Sequence, residues 1–287
     1  MLSRRQFLWA SMLMAMLSSK APVLAADKSM RLGTLPVVST RTAYEIYHPL
    51  LTHLERVLDL TVHLETPPNF KGMYQRIQEN AFDILVSPPH IARLAQKKFG
   101  WHPLVMCQPE HHSVLLAMEV NGPANLEALR GGTIAVLDNS ALVVMIMMEA
   151  LSRKGLIIDR DFKVIETRSY ESSQIAVKRG TVQAMVSRSQ GFIDPNARDS
   201  MKVLFEAGAL PGYVFIAAPA ISKSQLQKLR SELLSFGGTP EAKPFLEKLG
   251  YDSVTVATED AMRRLDPYLE TTESKLKYPD PGDKTSL

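Results

Sequence analysis

Apolar residues recur along this chain in two rhythms, short continuous runs and steps of three and four, and the alternation between them repeats twice. Met30 to Leu35 is an apolar run ending at Pro36, and the polar turn Ser39–Thr42 follows it. Ala43 to Leu58 carries Tyr44, Tyr47, Leu51, Leu54 and Val57 at helical steps, with Pro49 as a kink or as the true start of the helix. Leu60 to Leu64 alternates as a strand. Asn69 to Asn80 reads as a helix with Met73 and Ile77 on one face. Phe82 to Val86 is a buried strand closed by Ser87-Pro88-Pro89-His90, and Ile91 to Lys98 is a helix. This β-α-β-α-β-α order predicts an open parallel sheet flanked by helices.

Trp101 to Cys107 is a further strand, and the apolar run Ser113 to Val120 leads away from the first sheet. Asn121-Gly122-Pro123 breaks the chain before a short helix at Asn125 to Leu129. The alternation then restarts. Gly131 to Leu151 holds a buried strand (Thr133 to Leu137), the turn Asp138-Asn139-Ser140 and a strongly apolar helix. Strands at Asp161 to Thr167, Ala184 to Val186 and Met201 to Phe205 and a helix at Ser169 to Arg179 complete a second unit. Tyr213 to Ala218 returns to the first unit. Helices at Ser222 to Ser235, Glu241 to Leu249 and Glu259 to Leu269 close it, with Gly250 as a C-cap. The expected fold class is α/β: two Rossmann-like lobes joined by two crossing strands, with a cleft between them. Lobe one takes residues 27–115 and 214–275, lobe two takes 116–213, and 276–287 form a disordered tail.

A length of 287 residues agrees with two lobes. The first 26 residues stand apart. Ser3-Arg4-Arg5-Gln6-Phe7-Leu8 opens an apolar run to Leu17, and small residues around Ala25 and Ala26 suit cleavage. The run is shorter than the about 20 residues a membrane span needs. It resembles a twin-arginine (Tat) export signal; the general secretory route reads the same architecture. No Cys follows it, which argues against a lipid anchor. Removing 1–26 takes away Arg4, Arg5 and Lys20 and leaves 30 basic and 30 acidic residues, so charge gives no reason to expect a nucleic-acid partner. The single Cys107 cannot form an internal disulfide.

Open α/β sheets bind ligands at the carboxyl ends of their strands. That rule selects Ser39, Thr40 and Arg41, with Tyr44 one turn further on, and Ser87 and His90 in lobe one. In lobe two it selects Asn139 and Ser140 at a helix N-terminus, where backbone N–H groups attract anions, and Ser187, Arg188 and Ser189. Arg188 offers a two-pronged grip on an oxyanion. Tyr213 stands at the start of the return strand. Cys107, His111 and His112 are the one group with metal-ligand chemistry, but no helical H-x-x-x-H is present. The G-x-S-x-G, H-E-x-x-H, G-K-[ST] and G-x-G-x-x-G patterns are also absent, so neither an enzyme nor a cofactor is expected.

Four ordered landmarks carry a resemblance. They are Gly33-Thr34-Leu35-Pro36, Asp83-Ile84-Leu85 with Pro88, Leu129-Arg130-Gly131-Gly132-Thr133-Ile134-Ala135, and Ala176-Val177-Lys178-Arg179-Gly180. Together they make residues 30 to 270 similar to the phosphate/phosphite/phosphonate (PhnD-type) periplasmic solute-binding proteins of the type 2 fold. The resemblance implies a monomeric receptor that closes over a small oxyanion and hands it to an inner-membrane ABC permease. The alternative it allows is the periplasmic input of a two-component sensor kinase, for arsenite or another oxyanion, with Cys107 as a thiol ligand. The chain departs from the family at the anion-gripping turn. Asp138-Asn139-Ser140-Ala141 stands where Ser-Thr-Ser-Gly is usual, so only Ser140 carries over, and Gln183 replaces an acid. An Asp facing the cleft there would repel a dianion.

Overall fold

The computed structural model describes residues 28–190 and 200–277. The expected export signal (1–26) and residues 278–287 of the expected tail lie outside the described residues, whereas Leu276, at the start of that tail, is helical and buried. The first half folds in order as β1 (Ser29–Gly33), α1 (Thr40–Leu58), β2 (Thr61–Glu65), α2 (Phe70–Gln78), β3 (Ile84–Ser87), α3 (Pro89–Phe99) and β4 (His102–Gln108). All four residues of β3 are buried, as a strand covered on both faces requires. The Ser39 hydroxyl starts α1 by accepting from the Thr42 amide. That helix runs unbroken through Pro49, whose lost bond falls opposite the exposed Glu45. Its inward face is Ala43, Ile46, Tyr47, Leu50, Leu51 and Leu54. Tyr47, Leu51 and Leu54 of the expected face are buried, whereas Tyr44 stands 54% exposed. Gly100, at φ 72°, ends α3 in the left-handed conformation that glycine adopts without strain.

The second half gives β5 (His111–Met118), β6 (Thr133–Val136), α4 (Leu142–Arg153), β7 (Lys163–Glu166), α5 (Tyr170–Lys178), β8 (Ala184–Arg188) and β9 (Met201–Leu210). Helix α4 buries seven of its residues, consistent with its apolar sequence. Among the described residues, β5 pairs antiparallel with β8 and β9 alone. The expected lobe break at 115/116 thus falls inside a strand that lies wholly in the second sheet, and the chain crosses earlier, between Gln108 and His111. An apolar run shows that a strand is buried but not in which sheet.

The chain returns through β10 (Val214–Ala217), then α6 (Lys223–Gly237), α7 (Ala242–Leu249), β11 (Ser253–Val256), α8 (Glu259–Arg263) and α9 (Leu269–Leu276). The first sheet has the order β11-β4-β10-β3-β1-β2 and the second β7-β6-β8-β5-β9. Each sheet so receives one antiparallel strand from across the crossover, β10 in one and β5 in the other. β11 escapes a hydrophobic reading because it is an edge strand with mostly exposed residues. The single helix expected at Glu259 to Leu269 is broken, with Pro267 in a 3-10 turn between α8 and α9. Arg93, fully buried on α3, holds this segment. Its Nε and Nη2 donate to the Asp266 carboxylate at 2.6 and 3.1 Å, and Nη1 donates to Glu259 at 2.9 Å.

The two crossings pack back to back. The Cys107 amide donates to the Tyr213 carbonyl at 2.8 Å. A Cβ on Gly212 would lie 2.0 Å from the Cys107 carbonyl oxygen. Gly212→Ala should therefore cost about 1–3 kcal/mol of stability through overpacking, read as a lowered urea midpoint. An unchanged midpoint would show that the crossings can part freely. Among the described residues, no helix is long and apolar enough to cross a membrane.

Candidate functional site

A cleft of about 740 Å³ opens between the sheets, at the carboxyl ends of parallel strands from both. The first sheet contributes Pro36 after β1 and Pro68, Asn69, Phe70 and Lys71 after β2. The second contributes Leu137 to Ser140 after β6 and Glu166, Thr167 and Arg168 at the end of β7; Lys275 of α9 completes the rim. Three cations, Lys71, Arg168 and Lys275, thus share the cleft with two carboxylates, Asp138 and Glu166.

The turn before α4 is tied by those carboxylates. Asp138 Oδ1 accepts from the Ser140 amide at 2.7 Å and from the Ser140 hydroxyl. The Asn139 amide donates to Glu166 Oε1 at 2.8 Å. The N-cap of α4 is Ala141, which has no side-chain acceptor. Burial lifts the Asp138 carboxyl above its ordinary range; the two Ser140 bonds oppose the rise, Glu166 adds to it and Lys71 lowers it.

His90 reaches this turn from the opposite lobe. Its Nε2 lies 2.8 Å from the Ser140 carbonyl oxygen. A carbonyl only accepts, so Nε2 carries the hydrogen. Burial pushes the imidazole down to about 4, so it is neutral at ordinary pH.

Behind the cleft lies a narrow slot of about 30 Å³, walled by Pro88, Leu142, Tyr170, Arg188, Tyr213 and Tyr251 among others. Arg188, buried on β8, crosses between lobes. Its Nη2 donates to the Leu249 carbonyl at 2.7 Å and its Nη1 to Tyr251 Oη at 2.8 Å. The guanidinium also lies over the Tyr213 and Tyr251 rings, 4.7 and 5.2 Å from their centroids. His111 packs against Tyr251 at 4.7 Å, and burial lowers it too to about 4.

The sequence-selected residues separate into four places. Asn139 and Ser140 line the cleft. Arg188 and Tyr213 line the slot behind it. Ser87 is buried with its hydroxyl on the Pro88 carbonyl, and Ser187 is buried in β8 opposite Val114. Ser39, Thr40, Arg41 and Tyr44 lie exposed on the first turns of α1. Ser39 caps that helix and Arg41 pairs with Glu45 at 3.1 Å, so neither is turned to the cleft. Cys107, His111 and His112 form no metal-holding group, and among the described residues there is none. Burial pushes the Cys107 thiol up to about 12, and His112 pairs with Glu206. Lys71, Glu166 and Arg168 were not selected, although the strand-end rule applied to β2 and β7 reaches them. Lys275 has no such sequence cue, because only tertiary packing brings α9 to the rim.

The family model for the phosphonate ABC-transporter periplasmic substrate-binding protein matches residues 32–262. The phosphonates-binding periplasmic protein of Escherichia coli (strain K12) is 22% identical over 250 residues, covering 82% of this chain and 74% of that protein. Among solved structures, the binding-protein component of an ABC phosphonate transporter from Pseudomonas aeruginosa superposes with a TM-score of 0.74 at 17% identity, over 88% of this chain and 89% of that one. PhnD1 from Prochlorococcus marinus (MIT 9301), in complex with methylphosphonate, also gives 0.74, at 14% identity over 87% and 99%. The fold is that of the type 2 periplasmic binding proteins.

Proposed function

The chain belongs to the periplasmic substrate-binding family of phosphonate ABC transporters, and from that premise we propose that it captures a small phosphonate-like oxyanion in the cleft between its lobes. The observation that carries this reading is the cleft itself, where strand ends of both sheets and the start of α4 converge on one polar space with three cations. Lys71, Arg168 and Lys275 supply the attraction, and Asn139 and Ser140 supply the turn. A ligand touching both walls stabilises the closed arrangement by its differential contacts. His90 and Arg188, which already bond across the lobes, hold that arrangement from behind.

The loaded protein delivers its ligand to an inner-membrane ABC permease as a monomer, after export through the twin-arginine route. Membership of a periplasmic family supports the periplasmic address. That family is one of solute-binding proteins rather than enzymes, and binding without catalysis is the role assigned here. The sensor alternative, with arsenite on Cys107, draws no support from the relatives, and the buried thiol speaks against it.

A thermal-shift panel on the mature protein tests the proposal with methylphosphonate, phosphate, phosphite, a sulfonate, arsenite and a carboxylate. A ligand at a hundred times its dissociation constant should add about 2.7 kcal/mol of stability. Stabilisation by methylphosphonate is expected. No stabilisation by any of these anions would overturn the reading.

A further inference from the structure

The cleft is wider than a small oxyanion needs, although the lobes are already drawn together. Each lobe sends one side chain to a carbonyl of the other, His90 to Ser140 at 2.8 Å and Arg188 to Leu249 at 2.7 Å. The space of about 740 Å³ in front of these ties is therefore not left over from parted lobes. It falls among pockets of about 300–1,000 Å³ that enclose a whole organic ligand. The slot behind has a volume of about 30 Å³, room for about one or two water molecules. A substituent on the oxyanion has to run outward instead, past Pro36 and Pro68 toward the rim.

Two cations flank that rim, one from each lobe. Arg168 follows β7, and Lys275 stands in the last turn of α9. Both are exposed, and among the described residues neither holds an ion pair or a side-chain hydrogen bond. The neighbouring cations Lys98 and Lys277 are matched, each lying 3.2 Å from Glu273. Asp138 is tied to Ser140 and has Lys71 nearby. Glu166 accepts from the Asn139 amide and keeps its charge, but at the rim it is one carboxylate against two cations. We propose that the cleft takes a phosphonate-like oxyanion whose organic tail ends in a carboxylate, held at the rim between Arg168 and Lys275. The proposal rests on the reading of the cleft as an oxyanion site and adds the class of substituent. Arg168 offers that carboxylate a planar fork of N–H donors, and Lys275 offers a point charge. A tail that touches one cation from each lobe also favours the closed arrangement. Both cations meet solvent, so the gain is modest and falls with salt.

The test is titration calorimetry of the mature protein with phosphonoacetate and phosphonopropionate, each against its carboxamide, which keeps the shape and removes the charge. With at least one of the two spacers the carboxylate should bind at least about fivefold more tightly at low salt. The advantage should shrink as salt is raised. Arg168→Gln and Lys275→Gln, both at exposed positions, should each reduce it to within about twofold, whatever they cost both ligands in common. Equal binding of carboxylate and carboxamide with both spacers, or an advantage that survives in both variants, would overturn the proposal while leaving the oxyanion site intact. Tighter binding of aminoethylphosphonate than of either carboxylate would do the same, since the rim would then prefer a cation through Glu166. Binding of methylphosphonate but of none of the longer ligands would show that the cleft takes no tail, and would overturn the proposal alone. Binding of none of them, methylphosphonate included, would overturn the oxyanion reading and the proposal with it.

Discussion

Replacing Arg188 with Met should lower the unfolding free energy of the mature protein by about 3 kcal/mol. The guanidinium is buried and makes two short bonds across the lobes, to the Leu249 carbonyl and to Tyr251 Oη. A hydrogen bond to a charged group contributes about 1.5–3 kcal/mol, and removing the donor leaves buried oxygens unsatisfied. Met retains much of the side-chain bulk, so cavity formation adds little to the loss. The acceptor at Leu249 closes the last turn of α7, where the helix dipole also favours a cation. Urea denaturation reads the effect. If Arg188 grips the ligand instead, the variant keeps its stability and loses anion affinity by about 1.5–3 kcal/mol. An unchanged midpoint would therefore remove Arg188 from the interlobe tie.

Acid should produce a loss of similar size through His90. In the folded protein burial depresses its pKa from 6.5 to about 4. A base with a depressed folded pKa contributes its stability fully above the unfolded value and loses it as pH falls through the folded value. The window here runs from about pH 6.5 down to about pH 4. At 1.36 kcal/mol per unit, the full shift amounts to about 3 kcal/mol. His111, depressed by burial and by the nearby Arg188, moves the same way over the same window. Urea midpoints measured in neutral buffer and near pH 4.5 should differ accordingly, and His90→Gln should shrink the difference. A His90→Gln protein as acid-sensitive as the native one would place the sensitivity elsewhere.

Much of the architecture is legible in the sequence because buried strands of a parallel sheet are continuous apolar runs. β3 and β6 are examples, and α4 shows its burial through an almost uninterrupted apolar sequence. Edge elements leave no such mark. β11 is mostly exposed, and the strand that begins at Met201 runs on to Leu210 through Glu206 and the small residues Ala207, Gly208 and Ala209. The crossing at Gln108 was hidden for another reason, since β5 would read alike in either sheet. The candidate site was legible in part. Asn139 and Ser140 follow from the strand-end rule and from the helix that begins after them. Ser39, Thr40, Arg41 and Tyr44 obey the same rule but fall on the solvent side of α1, because Ala43 and Ile46 rather than Tyr44 fill its inward face. The occupation of the turn by Asp138 and Glu166 needs the β6–β7 pairing, which places Val136 beside Glu166. Spacing along the chain cannot supply that.

The most direct test of the central claim, that the interlobe cleft is the oxyanion site, is a crystal structure of the mature protein grown with methylphosphonate. The account predicts the ligand between Lys71 on one lobe and the Asp138–Ser140 turn on the other, in contact with both. A ligand bound to one lobe alone, or seated away from these residues, would contradict it.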